Sequence, residues 1–498
     1  MEISIIEIIA GIGVLVMFLY YRFTANYNFW KNLKIIGPDP IPFFGNSQDF
    51  ILGRLNVAIL SKKFYDEYQN EPYVGVYEGS TPKLIMRDLD LIKDILIKDF
   101  HLFPDRGILN KENRDPFEEN LVNVEYDQWR VLRSNLSPSF TSGKLKDMFH
   151  LITECAQNFE KHVAKIARKG EPVECGDLAA KYTTDAIGVC AFGLNINSLG
   201  DENSGFRMFG KCLTDMNWRN VARHVCRDVF PRFYAFIRPL VYNRAEDFFI
   251  NSIKETMNYR KKNKIRRKDF VDILVDLQEQ RNGKLKNLGL TDELLRAQAF
   301  VFFFAGFHST STIISHVLYE LALHPLIQDK LREEIRGAIV RDGKLTYDNI
   351  KEMKYFDKII KETLRKYPPF NLQRRSAVDY TFEGTKVTIP KGTRLVIPVW
   401  GIQRDPNIWP DPDVFDPERF NEENEKVRHP MSYLTFGGGP RNCIGIRFST
   451  LQMKIGIATL ICKFKVDTCD KTCIPYRVQA RGVIPRPIGG LQLKFIDL

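Results

Sequence analysis

The sequence predicts a mainly α protein with small β-sheets, one large domain held behind an N-terminal transmembrane helix. Three observations carry this. A helical pattern runs from Thr291, a capping residue above Asp292 and Glu293, to His324 before Pro325. Its stretch 299–307 (Ala-Phe-Val-Phe-Phe-Phe-Ala-Gly-Phe) is apolar on every side, which buries the helix in the interior. Only two short strand pairs interrupt an otherwise helical reading, and the first 23 residues hold an apolar run long enough to cross a bilayer. A chain of 498 residues would by length alone suggest about three domains. Beyond Asn46, however, there is no Gly/Ser or Pro-rich linker and no internal repeat.

From Ile3 to Phe23 the chain is apolar apart from Ser4, Glu7 and the flanking Arg22. At about 1.5 Å per residue this run spans about 31 Å, the thickness of a hydrocarbon core. A cleaved signal peptide would want a basic start, a shorter apolar core and a small-residue cleavage site. Here the start is acidic (Glu2, Glu7), and the run continues through Met17, Phe18, Leu19, Tyr20 and Tyr21 without such a site. Arg22, Lys31 and Lys34 put the positive flank on the C-terminal side. Residues 1–23 are therefore expected to be a single-pass signal anchor, with the body in the cytosol. Residues 24–46 follow as a basic, proline-rich spacer. The alternating prolines of the 37–45 segment forbid helix and stiffen an extended backbone, although an ordinary surface turn would use them too.

Hydrophobic residues at 44% and charged residues at 27% exclude a disordered chain. A net charge of +11 suits a polyanion, an anionic membrane or an acidic protein partner without choosing among them. Between Arg260 and Lys268 seven of nine residues are basic, but no aromatic interleaving or binding motif supports a nucleic-acid surface. A solvated loop, or a dock for an acidic partner, is the better reading. Nine scattered cysteines with no C-x-x-C pair fit a reducing compartment and no structural zinc. The expected strand pairs are 73–77 with 83–86, around Glu78–Pro82, and 385–389 with 394–399, around Pro390-Lys391-Gly392.

The chemistry is carried by Phe436-Gly437-Gly438-Gly439-Pro440-Arg441-Asn442-Cys443-Ile444-Gly445. The glycines allow close backbone approach to a flat ligand. A helical pattern begins just after Cys443, so the sulfur is expected at a helix start, where N–H groups favour thiolate over thiol. A thiolate from such a loop suits the axial ligand of haem iron, and Arg441 is placed to pair with a haem propionate.

With that loop the chain resembles the cytochrome P-450 superfamily of haem-thiolate monooxygenases, over essentially its whole length and in the microsomal form with anchor and spacer. Finer cues resemble insect detoxification-type members: the 361–369 phrase, the Ala305-Gly306-Phe307 helix centre and the 436–445 loop. The resemblance implies a triangular haem domain over residues 47–498, facing the cytosol from the endoplasmic reticulum membrane. Glu362-Thr363-Leu364-Arg365 matches the family's E-x-x-R helix, with Arg419 of Pro417-Glu418-Arg419-Phe420 as a further charge partner in a structural core set. Trp129 and Arg133 resemble its W-x-x-x-R, whose side chains meet a propionate. Arg375 falls where another propionate-binding Arg is expected, with Arg374 competing for the assignment. Phe436, Gly437, Gly445 and Ala305 complete the implied haem contacts. Phe103, Phe117, Phe302, Phe303, Phe304, Phe370 and Leu372 lie in segments that face substrate in the family, or are plain core.

The pattern breaks in the central helix. The family's A-G-x-[D/E]-T supplies protons for dioxygen activation, and its Gly makes room. Here Ala305-Gly306-Phe307-His308-Ser309-Thr310 keeps Gly306 and an alcohol but replaces the acid by His308. With an ordinary pKa near 6.5, a histidine there either relays protons around neutrality or only packs; distal iron coordination is a third role. The family's His before R-D-P is also replaced, by Gln403. The implied activity is insertion of one atom of O2 into a lipophilic small molecule at haem b, with electrons from NADPH through a membrane-bound cytochrome reductase and cytochrome b-five as an auxiliary donor. Its rivals are a haem-thiolate isomerase or dehydratase of peroxides, which needs no reductase, and a non-catalytic haem sensor.

Overall fold

A computed structural model describes residues 5–108, 116–201, 203–215, 226, 234, 236, 244–280, 291–482 and 484–498. The longest element is the central helix Asp292–Leu323, started by the Thr291 side chain, which accepts from the Leu294 N–H. Pro325 opens the next helix, Pro325–Asp342, which ends at the left-handed Gly343. Phe302, Phe303, Phe307, Ile313, Val317 and Leu321 bury most of the central helix. Its most apolar window is 72% buried, whereas the same window of the N-terminal helix Ile5–Thr24 is 0% buried. Length and composition alone would let both cross a membrane; burial makes one a core helix and leaves the other bare.

The helix Cys175–Ile187 runs against the central helix because Gly306 lets it approach. A Cβ on Gly306 would lie 2.7 Å from Ile187 Cδ1. The cysteine-loop helix Ile446–Lys463 packs on the central helix from another side, with Ser142–Ala167 behind it.

The main sheet has four strands in the order Tyr73–Glu78, Thr81–Met86, Arg394–Ile397, Leu372–Arg375. The first expected hairpin forms with Tyr73 opposite Met86. The second does not. Thr388–Ile389 pairs backwards with Tyr380–Thr381, while Arg394–Ile397 runs parallel to Thr81–Met86 and antiparallel to Leu372–Arg375. Gly392, at φ 89°, turns the chain between them into two different sheets. Leu395, Val396 and Ile397 are all buried, which suits an inner strand rather than one arm of a surface hairpin. The proline segment lies along the first strand. Ile36 O accepts from Gly75 N–H, Trp30 Nε1 donates to Val76 O, and Asn46 N–H donates to Tyr77 O, pinning residues 30–46 along the first strand.

The basic run is only partly a solvated loop. Arg260 is buried and donates to Asp269, Asp272 and Phe192 O, while Arg266 pairs with Asp276 and Arg267 reaches Gly193 O. The sequence showed the charges but not the acids that the following helix Phe270–Gln280 folds onto them.

Glu362 and Arg365, on the helix Lys354–Lys366, are 0% exposed and bonded twice, Nε to Oε2 at 2.6 Å and Nη2 to Oε1 at 2.8 Å. Arg419 lies 3.4 Å from Glu362 Oε1, and the Asp416 N–H donates to the same oxygen at 3.0 Å. Arg365 also donates to Gln403 O and Pro412 O, so the pair ties the helix to two loops. Removing one partner leaves the other charge buried and uncompensated. Glu362→Ala is expected to cost about 3–5 kcal/mol in chemical denaturation. Lys361→Ala, which breaks the half-exposed Lys361–Glu425 pair one residue away, should cost about 1 kcal/mol or less.

Candidate active site

The cysteine loop is built by a short series of backbone commitments. Cys443 N–H donates to Phe436 O at 2.8 Å and closes it. Gly437 and Gly439 take φ of 77° and 66°, and a Cβ on Gly439 would sit 1.9 Å from Leu96 O, so only glycine lets the 94–98 segment lie against the loop. A Cβ on Gly445 would meet nothing within 4 Å, which leaves the floor beyond the sulfur open. Gln403 holds the loop's entry. Its side chain donates to Leu364 O and Arg365 O and accepts from Leu434 N–H and the Thr435 hydroxyl. This residue was passed over in the sequence as a mere departure from the family pattern.

Cys443 is exposed, yet it lies deep enough that burial pushes its thiol above the ordinary value. The Gly445 N–H and the Arg106 and Arg133 guanidiniums pull the other way without prevailing. The helix proper begins at Ile446 with Gly445 as its cap, so the sulfur stands ahead of the helix start. The Gly445 N–H thus lowers the thiol, as expected of a helix start, while burial outweighs it; a metal at the sulfur would deprotonate it. Among the described residues no group of three or more His, Cys, Asp or Glu is placed to hold a metal.

Around the sulfur lies an excess of buried positive charge. Arg441 donates to Pro104 O and Val124 O, stacks over Trp129 at 4.4 Å, and keeps its Nη1 without a protein partner. Arg133 donates to Asn442 O and Oδ1 at 3.0 and 2.8 Å. Arg106 donates to Arg441 O. Burial and mutual repulsion pull Arg374 and Arg441 down to about 9 and Arg106 to about 10. Orphaned donors in a cluster short of anions fit a ligand bearing carboxylates, as haem does in its propionates.

Arg375 stands at the edge of that cluster, sharing Asp105 with Arg441. It pairs with Asp105 and Glu125, whereas Arg374, buried with an unpartnered Nε, faces Arg106 and Arg441. Strand alternation sends the two neighbours to opposite faces, so only one could serve. The assignment passes to Arg374. Arg106 was missed altogether; a lone Arg in Pro104-Asp105-Arg106-Gly107 carries no signal of its distance from residue 443.

On the central helix Ala305 is exposed although Phe302, Phe303, Phe307 and His308 around it are buried. Ser309, half-buried, donates to Ala305 O at 2.8 Å, and the Thr310 hydroxyl is buried without a partner. Gly306 points its missing side chain at Ile187, so its first role is helix contact rather than room for a reactant. His308 accepts at Nδ1 from Arg486, and burial and that guanidinium hold it well below 6.5. A histidine titrating around neutrality is therefore corrected to a neutral imidazole. Of the substrate-facing candidates, Phe304 lines a cavity with His308, and Leu372 lies beside Gly437. Phe103 packs on Tyr380, Phe302 on Phe270 and Phe117 on Phe300, all in the cores, while Phe370 is exposed. Phe303 is fully buried among Phe209 and Phe249.

Arg374→Gln should speed haem transfer from the loaded protein to apomyoglobin by about tenfold, whereas Arg375→Gln should change it far less.

The comparisons agree with this geometry. Residues 36–495 match the family described as Cytochrome P450. The chain is 36% identical to "Cytochrome P450 6B1" of Papilio polyxenes, over 98% of this chain and 99% of that protein. It is 38% identical to "Probable cytochrome P450 6a13" of Drosophila melanogaster, over 100% and 99%. With "Cytochrome P450 6B2" of Helicoverpa armigera the identity is 36%, over 98% and 97%. A cysteine loop set among guanidiniums, in a helical fold with small sheets and similar along its whole length to these insect proteins, makes one assignment: the chain belongs to the cytochrome P450 family and is a P450 monooxygenase.

Proposed function

We propose that the protein inserts one oxygen atom of O2 into lipophilic small molecules at haem b, using NADPH-derived electrons passed on by a membrane-bound reductase, with cytochrome b-five as an auxiliary donor. The bare helix Ile5–Thr24 supports tethering to the endoplasmic reticulum membrane with the body in the cytosol. The observation that carries the reading is the accessible Cys443 beneath the Arg106, Arg133, Arg374 and Arg441 cluster. Cys443 would hold the haem iron through its sulfur, and Arg374 and Arg441 would pair with the propionates, with Trp129 as the stacking floor for Arg441. When bound, haem supplies dioxygen activation, to which the thiolate contributes electron density. The protein's own part is to close water away with the buried central helix and to hold a hydroxyl, Ser309 Oγ, beside Ala305.

His308 enters this reading as a neutral acceptor that fixes Arg486. Its Nδ1 is occupied by the guanidinium, so the neutral ring carries its proton on Nε2. Burial first, and then the Arg486 guanidinium, favour the neutral ring over the imidazolium.

The reduced, carbon-monoxide-treated protein should give the Soret band of a thiolate-ligated haem, and Cys443→Ala should lose it. Persistence of that band in Cys443→Ala would end the reading. The fraction of NADPH electrons lost to peroxide should show no step near pH 6.5; a step that vanishes in His308→Gln would restore the titrating relay.

A further inference from the structure

The central helix carries a second buried histidine, His316, about 10 Å further along its axis than Ser309. Its neighbours are tyrosines. The His316 ring lies 4.4 Å from that of Tyr367 and 5.7 Å from that of Tyr476, centroid to centroid. Tyr367 and Tyr476 stack at 5.9 Å, and Tyr319 meets Tyr476 at 5.7 Å. Tyr367 caps the Lys354–Lys366 helix, in the segment that runs on to Leu372 beside Gly437 of the cysteine loop. At the other end the Tyr319 hydroxyl donates to the carbonyl of the exposed Cys473. Neighbouring rings thus connect the interior at Tyr367 with the surface at Cys473.

Two of these phenols are matched to bases. His316 Nδ1 donates to Thr312 O at 2.7 Å, which fixes the tautomer of the neutral ring, and Nε2 accepts from the Tyr476 hydroxyl at 2.8 Å. The Tyr367 hydroxyl donates to Glu320 Oε1, which Lys366 holds at 2.8 Å. Burial pulls His316 down to about 4 and pushes the Tyr476 phenol up, so at rest the proton stays on oxygen. A phenol that has lost an electron is a far stronger acid than an imidazolium. The existing hydrogen bond is then the route by which its proton leaves.

We propose that Tyr476 and His316 form a proton-coupled electron donor, which discharges oxidising equivalents left at the haem when no substrate takes them. Tyr476 gives up one electron, its hydroxyl proton crosses to His316 Nε2, and a neutral phenoxyl radical and an imidazolium result. A mild reductant such as ascorbate returns the electron from the surface by way of Tyr319 and leaves oxidised by one electron. The proton returns from His316, and the pair is restored. The proposal rests on the haem reading of Cys443 for the source of the oxidising equivalent.

The test treats the full-length, haem-loaded protein, without substrate, with an organic peracid, which is reduced by two electrons to its carboxylic acid. Samples are frozen within milliseconds and read by electron paramagnetic resonance. Wild type should show a tyrosyl radical, recognised by its narrowing after growth on ring-deuterated tyrosine and quenched by ascorbate. Tyr476→Phe, which removes only a hydroxyl, should lose that signal. His316→Gln, which keeps an acceptor but no base, should lose most of it. Both variants should bleach their haem faster than wild type under repeated peracid. The thiolate Soret band before treatment reports that each protein is folded and loaded. Absence of a tyrosyl signal in the wild type would overturn the proposal. So would a signal that either variant leaves unchanged, which for Tyr476→Phe would place the radical on another ring, such as Tyr126 against Trp129. A wild type without the Soret band fails the haem reading and this one with it, whereas an intact band without the radical fails this one alone.

Discussion

The buried Glu362–Arg365 pair is the constraint from which the site is built. Two charges at 0% exposure are costly to desolvate, and they persist only because each remaining hydrogen-bonding position is spoken for. Burial still raises the Glu362 carboxyl above its ordinary value in spite of Arg365 and Arg419, which shows how far desolvation weighs against the pair. What the pair contributes is position. Arg365 holds Gln403 O, the Gln403 amide reaches back to Leu364 and Arg365 and forward to Leu434 and Thr435, and Phe436 O then fixes the Cys443 N–H. Hydrogen bonds that converge on Gln403, and the short stretch of chain from Leu434 to Phe436, connect a buried ion pair to the cysteine loop. A network this complete has few alternative arrangements.

The site itself is built on the opposite principle. Arg374 and Arg441 are buried and Arg106 half-buried, with only Asp105 at ion-pairing distance from Arg441, and Arg374 and Arg441 keep orphaned donors. In a stable core that arrangement would be a fault, since unpaired buried cations and N–H groups destabilise the fold. In a ligand site it is stored affinity: the anion that arrives satisfies groups the protein has already desolvated and oriented. The contrast between the satisfied Glu362 network and the unsatisfied arginines separates scaffold from site more sharply than burial does, because both are buried.

The sequence made visible what local pattern determines. The central helix was legible to the residue at both ends because Thr291 and Pro325 are chemical punctuation, and its all-round apolarity announced its burial. The cysteine loop was legible because glycine spacing, arginine and cysteine leave few other uses. What stayed hidden was set by partners distant in the chain. Nothing near Arg374 and Arg375 says which faces inward, since that depends on the strand's register with Arg394–Ile397. Gln403 reads as a lost histidine until Leu434 and Thr435 are seen to meet it. Arg260 reads as surface charge until Asp269 and Asp272 fold over it. His308 stayed open between relay and packing for the same reason: its ordinary pKa is a property of the residue, but its actual one is set by burial and by Arg486, 178 positions away.

That last contact gives the departure at position 308 a physical meaning. The family pattern places a carboxylate there, and a carboxylate touching Arg486 would form a charge-assisted pair that neutralises the guanidinium and uses its fork. An imidazole held neutral accepts one hydrogen bond and contributes no charge. The guanidinium is thus oriented without being quenched. Helix geometry then relates the two faces. Phe304 and His308, four residues apart, share one face and line the cavity, whereas Ala305 and Ser309 lie about 100° around the axis. One helix thereby offers a cation at one wall and an accessible, hydroxyl-bearing surface at the adjacent wall. The imidazole at position 308 therefore leaves the Arg486 guanidinium oriented and unneutralised on the face that His308 shares with Phe304.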